Sequence, residues 1–292
     1  MNPSGSGGRA FKGLLTAAAV GFAAAVALLL VADAAYLAEF WINAKPDKLA
    51  SFYEEVFSGE TARELFLSLA TATTTTLLAL LVAVPAGYAL SRFRIPGKVL
   101  VDTFVDAAIV LPPLIMGVSL LVLFSALRRT GEALGPEGRP NPVIQWVYEF
   151  FVYQRPGIVL AQVLVGTALA TRAMRAAFDA ADRRVEDVAL TLGCSRFGAF
   201  WRTALPQTWG GMLAGGVVCW SYSVGLFAPV AIFAGTVKGR TAVLPTRTYL
   251  EVSVGHLELA LALTLVMAAI AMAVLVVLKV VVRRPAAGDS GP

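Results

Sequence analysis

The sequence predicts an all-α integral membrane protein with six transmembrane helices, and three observations carry that prediction. Of the 292 residues, 58% are apolar and only 15% charged, against about 45–50% and 25% in a soluble globular domain. Uncharged runs at 13–32, 65–91, 107–127, 203–237 and 259–278 hold 20, 27, 21, 35 and 20 residues, enough for the roughly 20 that a helix needs to cross a bilayer. A shorter sixth run lies at 157–171. Third, basic residues gather in alternate connecting segments: Arg9 and Lys12, then Arg92, Arg94 and Lys98, then the six arginines of 172–202, then Lys279, Arg283 and Arg284. This places both termini on the cytoplasmic side, because short basic loops are retained there. A soluble enzyme and a disordered chain are excluded, as is an outer-membrane barrel, whose short strands alternate apolar and polar. Retention of loops accounts for the net charge of +5 with no need for nucleic acid as a partner.

Each element follows in order. Residues 1–10 read as a flexible tail and 11–33 as the first span, retained rather than cleaved as a signal peptide because its apolar run is of full span length. Residues 46–58 form an amphipathic helix, with Leu49, Phe52, Tyr53, Val56 and Phe57 on one face; it either lies on the membrane surface or meets an external partner. The second span, 64–91, holds Thr71 and Thr73, Thr74, Thr75 and Thr76, whose hydroxyls can bond back to helix carbonyls or across to a neighbour. Pro85 here, and Pro112-Pro113 in the third span at 101–127, loosen the helical ladder. Asp102 and Asp106 stand one turn apart at the start of that span. They fit ion pairs at the interface, or the coupling groups of an ion-driven carrier. The aromatic segment 141–153 suits an interfacial anchor. Spans at 157–178, 206–234 and 257–282 and a tail at 285–292 complete the chain. Cys194 and Cys219 read as unpaired packing residues.

Between the fourth and fifth spans, 172–205 is too polar for the membrane and too short for a domain. Asp182 can cap a helix in which Val185, Val188, Ala189 and Leu192 make one apolar stripe, and Gly193 supplies a left-handed stop. Ser195 can cap a second helix through Phe197, Phe200 and Trp201, before Leu205-Pro206 opens the fifth span. The product is a helix-turn-helix knob at 182–202 joined to two membrane helices, a shape suited to passing force from a cytoplasmic partner.

Asp187-Val188-Ala189, then Gly193, then Thr203-Ala204-Leu205-Pro206 resembles the EAA loop of type I ABC importer permeases, with the spacing Glu-Ala-Ala, Gly, Ile-x-Leu-Pro intact, an Asp for the Glu, Val188 for the first Ala and Thr203 for the Ile. The resemblance runs over about 60–284 and is strongest to the molybdate, tungstate and sulfate branch, through Gly215-Gly216, Gly239-Arg240-Thr241, Leu244-Pro245 and Tyr249-Leu250-Glu251. Where that branch often has Gly-Glu-Phe-Gly, this chain has Gly225-Leu226-Phe227-Ala228. The resemblance implies a multi-pass subunit of the cell inner membrane with the type I permease fold, coupled to its ATPase through Glu186, Asp187, Ala189, Gly193, Ser195, Leu205 and Pro206. It implies two cytoplasmic ATPase subunits that bind the ATP and Mg, an extracytoplasmic solute-binding protein, and a second permease chain, as a homodimer. Import of another small solute or a metal ion fits the same class. Ser221, Tyr222 and Ser223 beside Gly225 form a polar cluster in hydrocarbon and are the candidate pathway residues. No catalytic, cofactor or metal site is expected in this chain: the lone histidine, His256, has no metal-binding or nucleophile motif around it, and Gly97-Lys98 is not a phosphate loop.

Overall fold

The structure, a computed structural model, describes residues 4–94, 96–134 and 141–283. The tail expected at 285–292 lies outside the described residues, as does part of the segment joining the third span to the aromatic helix. The described residues are helical apart from short turns and a loop at 234–243: α1 (Ser4–Asn43), α2 (Pro46–Val56), α3 (Gly59–Arg92), α4 (Lys98–Val110), α5 (Pro113–Leu134), α6 (Pro142–Phe151) and α7 (Arg155–Ala180). They continue with α8 (Arg183–Thr191), α9 (Arg196–Ala199), a π-helical turn (Phe200–Ala204), α10 (Leu205–Gln207), α11 (Trp209–Gly225), α12 (Ala228–Phe233), α13 (Leu244–Val254) and α14 (Leu257–Arg283).

Five stretches among the described residues are long and apolar enough to cross a membrane; they lie in α1, in α2 with α3, and in α5, α7 and α14. The expected fifth span differs from a single helix. It divides into α11, whose 17 residues rise about 25 Å, and the short α12. Pro229 explains the break: it has no N–H to give the carbonyl of Gly225, and its ring crowds that turn. The third span, expected as one helix over 101–127, likewise divides into α4 and α5 at Leu111-Pro112. Pro85, by contrast, sits inside an unbroken α3. The first helix begins at Ser4, so it takes in much of the tail expected at 1–10.

The centre of the bundle is the seam where α3, α7 and α11 meet. Ala72, Ala79, Ala83, Ala170 and Cys219 are fully buried in it, and small residues let the backbones close up. A side chain on Gly87 would come 2.7 Å from the Met174 Cβ, and one on Gly211 would overlap Ala177. Polar bonds then pin the register. Thr75 Oγ1 donates to Gln162 Oε1 at 2.9 Å, Gln162 Nε2 donates to the Ser223 carbonyl at 3.0 Å, and Trp220 Nε1 donates to Thr73 Oγ1 at 3.1 Å. Thr71, Thr73, Thr74 and Thr76 also bond back to carbonyls of their own helix. A second core, of Leu120, Phe124, Ile158, Val230 and Phe233, joins α5, α7 and α12. There α5 passes so close to α12 that a side chain on Gly117 would meet the Pro229 Cα at 2.7 Å.

At the end of the bundle away from the 182–202 knob, α13 buries an arginine. Arg247 donates to Glu64 Oε2 and to Thr61 Oγ1 at 2.9 Å, and to Glu55 Oε1 at 2.9 Å. The side chains of Arg247 and Glu64 are each 2% exposed. These bonds tie α13 to α2 and α3, and Ser68 Oγ extends the tie by accepting from Leu244 N. A buried charge left without its partner is expensive. Arg247→Ala is therefore expected to destabilise the folded chain by about 3–5 kcal/mol, read as a lower midpoint of thermal unfolding in detergent; Arg247→Ala with Glu64→Gln should recover much of the loss.

Candidate functional site

The 182–202 knob folds as its sequence dictates. Asp182 accepts from Arg184 N at 2.9 Å and starts α8, and Ser195 accepts from Gly198 N at 3.1 Å and starts α9. Gly193 adopts φ 89° between them, a left-handed conformation that costs a residue with a Cβ. Cys194 N then returns to the Ala189 carbonyl at 3.0 Å, which satisfies a carbonyl left open at the end of α8. Beyond α9 the helix widens into the π turn just before Pro206, whose missing N–H removes one donor from the ladder.

The apolar stripe of the knob has no partner among the described residues. Val185, Val188 and Leu192 are exposed, Leu192 by 80%, and Phe197 and Trp201 extend the patch across the turn. Asp187 and Ser195 lie at the surface beside it, with Ala189 half-buried. Leu205 is half-buried and Pro206 exposed at the entry to the fifth span. Exposed apolar side chains in one contiguous patch mark an interaction surface.

Glu186, grouped by sequence with the docking residues, differs. Its side chain is buried and points back into the bundle, where Oε1 accepts from Arg92 at 2.8 Å and Oε2 from the Tyr88 hydroxyl at 3.0 Å. The reason is helical phase: Glu186 follows Val185 by about 100°, which carries it off the apolar stripe and toward α3. Tyr88 and Arg92 were not singled out as site residues by the sequence reading. The signal open to it was an acid and a base, Glu186 and Arg92, in two basic segments that the charge pattern puts on the same side of the membrane. A cavity of about 340 Å³ opens beside this pair, lined by Tyr88, Arg92, Arg183, Asp187, Leu190 and Arg196 among others.

The polar cluster of the fifth span divides by face. Ser221 and Tyr222 are half-buried, and Ser221 Oγ donates to the Val217 carbonyl at 2.7 Å. Ser223 is fully enclosed in the α3–α7–α11 seam, and its hydroxyl has no hydrogen-bond partner among the described residues. Gly225 is open, with nothing within 4 Å of where a side chain would begin. Past the break, Phe227 stacks on Tyr249 of α13 at 4.9 Å, an exposed aromatic pair beside the open end of α11. Asp102 and Asp106 are both ion-paired: Asp102 with Arg175 at 2.6 Å and Asp106 with Arg172 at 3.6 Å. These pairs bind α4 to α7. Among the described residues no cluster of His, Cys, Asp and Glu is arranged to hold a metal ion.

Comparison with known proteins places this geometry. Residues 76–286 match the family described as binding-protein-dependent transport system inner membrane component. The chain is 32% identical over 176 residues to the molybdenum transport system permease protein ModB of Escherichia coli (strain K12), covering 59% of this chain and 73% of that one. It is 35% identical over 167 residues to the molybdate/tungstate transport system permease protein WtpB of Thermococcus kodakarensis, covering 57% of this chain and 58% of that one. Its fold superposes on a chain of a bacterial alginate ABC transporter, solved in complex with an alginate pentasaccharide-bound periplasmic protein. There the TM-score is 0.64 at 14% identity, over 88% of this chain and 94% of that one. The α-helical bundle, the knob with its exposed stripe and the family match agree, and the chain belongs to the binding-protein-dependent inner membrane components, the permeases of ABC importers.

Proposed function

We propose that this permease carries a tetrahedral oxyanion of the molybdate, tungstate and sulfate kind. Two copies of the chain surround the pathway, two ATPase subunits dock on the knobs at 182–202, and a solute-binding protein delivers the oxyanion at the opposite face, with both termini of the chain in the cytoplasm. ATP and Mg belong to the ATPase, and this chain supplies no catalytic group. The observation that carries the coupling role is the exposed stripe of Val185, Val188 and Leu192, set on a capped and glycine-stopped helix. The substrate class is supported by the likeness to permeases named for molybdenum and for molybdate and tungstate.

Docking of an ATPase on the stripe removes its apolar surface from water, at about 25 cal/mol per Å², so the knob follows the ATPase as the two nucleotide-binding subunits close. Movement of the knob is passed to α7 and α11, which continue directly from it, and alternating access follows as rocking of the bundle. On the pathway, Ser221, Tyr222 and Gly225 are the candidate lining groups. Hydroxyls without fixed cations let an anion pass with weak holding, which leaves tight binding to the delivering protein. The break at 226–227 offers no carboxylate, since Leu226 and Phe227 stand there, and so sets no like charge against a dianion.

The test is ATP-dependent uptake of molybdate, tungstate and sulfate by liposomes holding the chain with its ATPase and binding protein. One oxyanion is expected to enter, and Gly193→Asp should lower its uptake about tenfold, a coupling loss of ordinary size, because a side chain at φ 89° distorts the docking turn. Uptake of none of the three removes the oxyanion assignment. An ATPase that never associates removes the docking role of 182–206.

Replacing Asp102 and Asp106 together by Asn should leave uptake within about twofold, since partly exposed ion pairs contribute little. Loss of uptake on that replacement, measured in the same liposomes, would point to ion coupling through these two groups.

A further inference from the structure

The knob is joined covalently to α7 on one side and, through the π turn, to α11 on the other; no chain connection links it to α3. Yet the buried side-chain contacts of α8 run to α3. Arg92, in the last turn of α3, meets Glu186 through both Nε and Nη2 at 2.8 Å, with the two side chains only 6% and 9% exposed. The fork of an arginine fixes direction as well as distance. Tyr88, one turn earlier, holds the other carboxylate oxygen, and its ring packs against Phe178 of α7 and Phe200 of the π turn at 5.3 and 4.7 Å.

Bonds around the pair close the corner. Arg92 Nη2 also donates to the Ala181 carbonyl at 3.2 Å, Arg183 Nη2 donates to the Arg92 carbonyl at 2.8 Å, and Ser91 Oγ donates to Asp179 Oδ1 at 2.6 Å. The end of α3 is thus held at once by α8, by the end of α7 and by the turn that leads into α11.

We propose that the clamp of Arg92, Tyr88 and Glu186 is the linkage through which displacement of the coupling helix reaches α3, so that α3 and α8 move as one body. The Thr75, Gln162 and Ser223 bonds of the central seam then move with them. This rests on the reading above that an ATPase docks on 182–202. Arg92 and Tyr88 are positioning residues, since their buried groups act through Glu186 and face away from the exposed stripe. Without the clamp, α8 would keep its flanking turns and its packing on the π turn, and of its bonds to α3 above only the exposed one from Arg183 to the Arg92 carbonyl, so it would swing with α3 only loosely carried.

The complete transporter in liposomes, with ATPase and binding protein, tests this by three readings: ATPase association, ATP turnover and molybdate uptake. Arg92→Ala is expected to keep the ATPase bound and turning over while molybdate moved per ATP falls about tenfold. The exchange of Arg92→Glu with Glu186→Arg should restore most of that ratio. An unchanged ratio in Arg92→Ala overturns the proposal. So does loss of the ATPase from Arg92→Ala when the unaltered chain retains it, because the clamp would then serve only to shape the docking surface.

If the unaltered chain itself fails to bind ATPase or to move molybdate, the docking or substrate reading has failed, and the clamp is judged without either. Spin labels at Val82→Cys and Thr191→Cys, in a chain with Cys194 and Cys219 replaced by Ser, report the distance between α3 and α8. One narrow distance that broadens in Arg92→Ala is the expected result. Equal widths in both overturn the proposal.

Discussion

One buried amide holds three membrane helices in register. Gln162 is 2% exposed, accepts from Thr75 on α3 and donates to the Ser223 carbonyl on α11. In hydrocarbon an unpaired amide is costly, so α7 has one rotation and one height at which both demands are met. The alanines and glycines of the seam bring the backbones close enough for so short a side chain to span them. Placement of every other element depends on this register: the knob leaves α7 at Ala180, and the fifth span returns through the same seam.

Proline and glycine then decide where the bundle departs from straight helices. Pro229 ends α11, and in the last turn the Ser223 carbonyl accepts from Leu226 N at 3.3 Å and from Gln162 Nε2 at 3.0 Å. The break and the seam are thus parts of one arrangement. At the other end of the span, Pro206 follows a π-helical turn, and Gly193 reverses the chain between α8 and α9. These positions sit at the two ends of the path along which movement of the knob would travel.

Much of this was legible in the sequence. Long uncharged runs reported α1, α3, α5 and α14, a shorter one α7, and the capping residues Asp182 and Ser195 both act as caps. Local rules sufficed there because the causes are local. The inward turn of Glu186 was less accessible, since its partners stand 94 and 98 residues away in the chain. The buried Arg247 was hidden for a similar reason: composition reads it as one of several charges outside the membrane, and only the packing of α13 on α3 shows it enclosed. Hydropathy alone also ran across the breaks at 111–112 and 226–227, because both fall in apolar sequence and interrupt backbone bonding rather than polarity. Ser223 belonged to a cluster read from its hydroxyl; the atom that joins the seam is its carbonyl, and side-chain type carries no signal for that.

The pairing of Glu64 with Arg247 bears on how the chain is built into the membrane. The two residues are 183 positions apart, so during synthesis Glu64 emerges long before its counter-charge. Until α13 arrives, the carboxylate at the start of α3 has no arginine beside it, burying it is costly, and the depth of α3 is not yet fixed, so the helix keeps some freedom to shift. Closure of the ion pair ends that freedom. Insertion of the last hairpin is in this sense the step that fixes the depth of α3, because only then does the acid at the start of that helix gain its buried counter-charge.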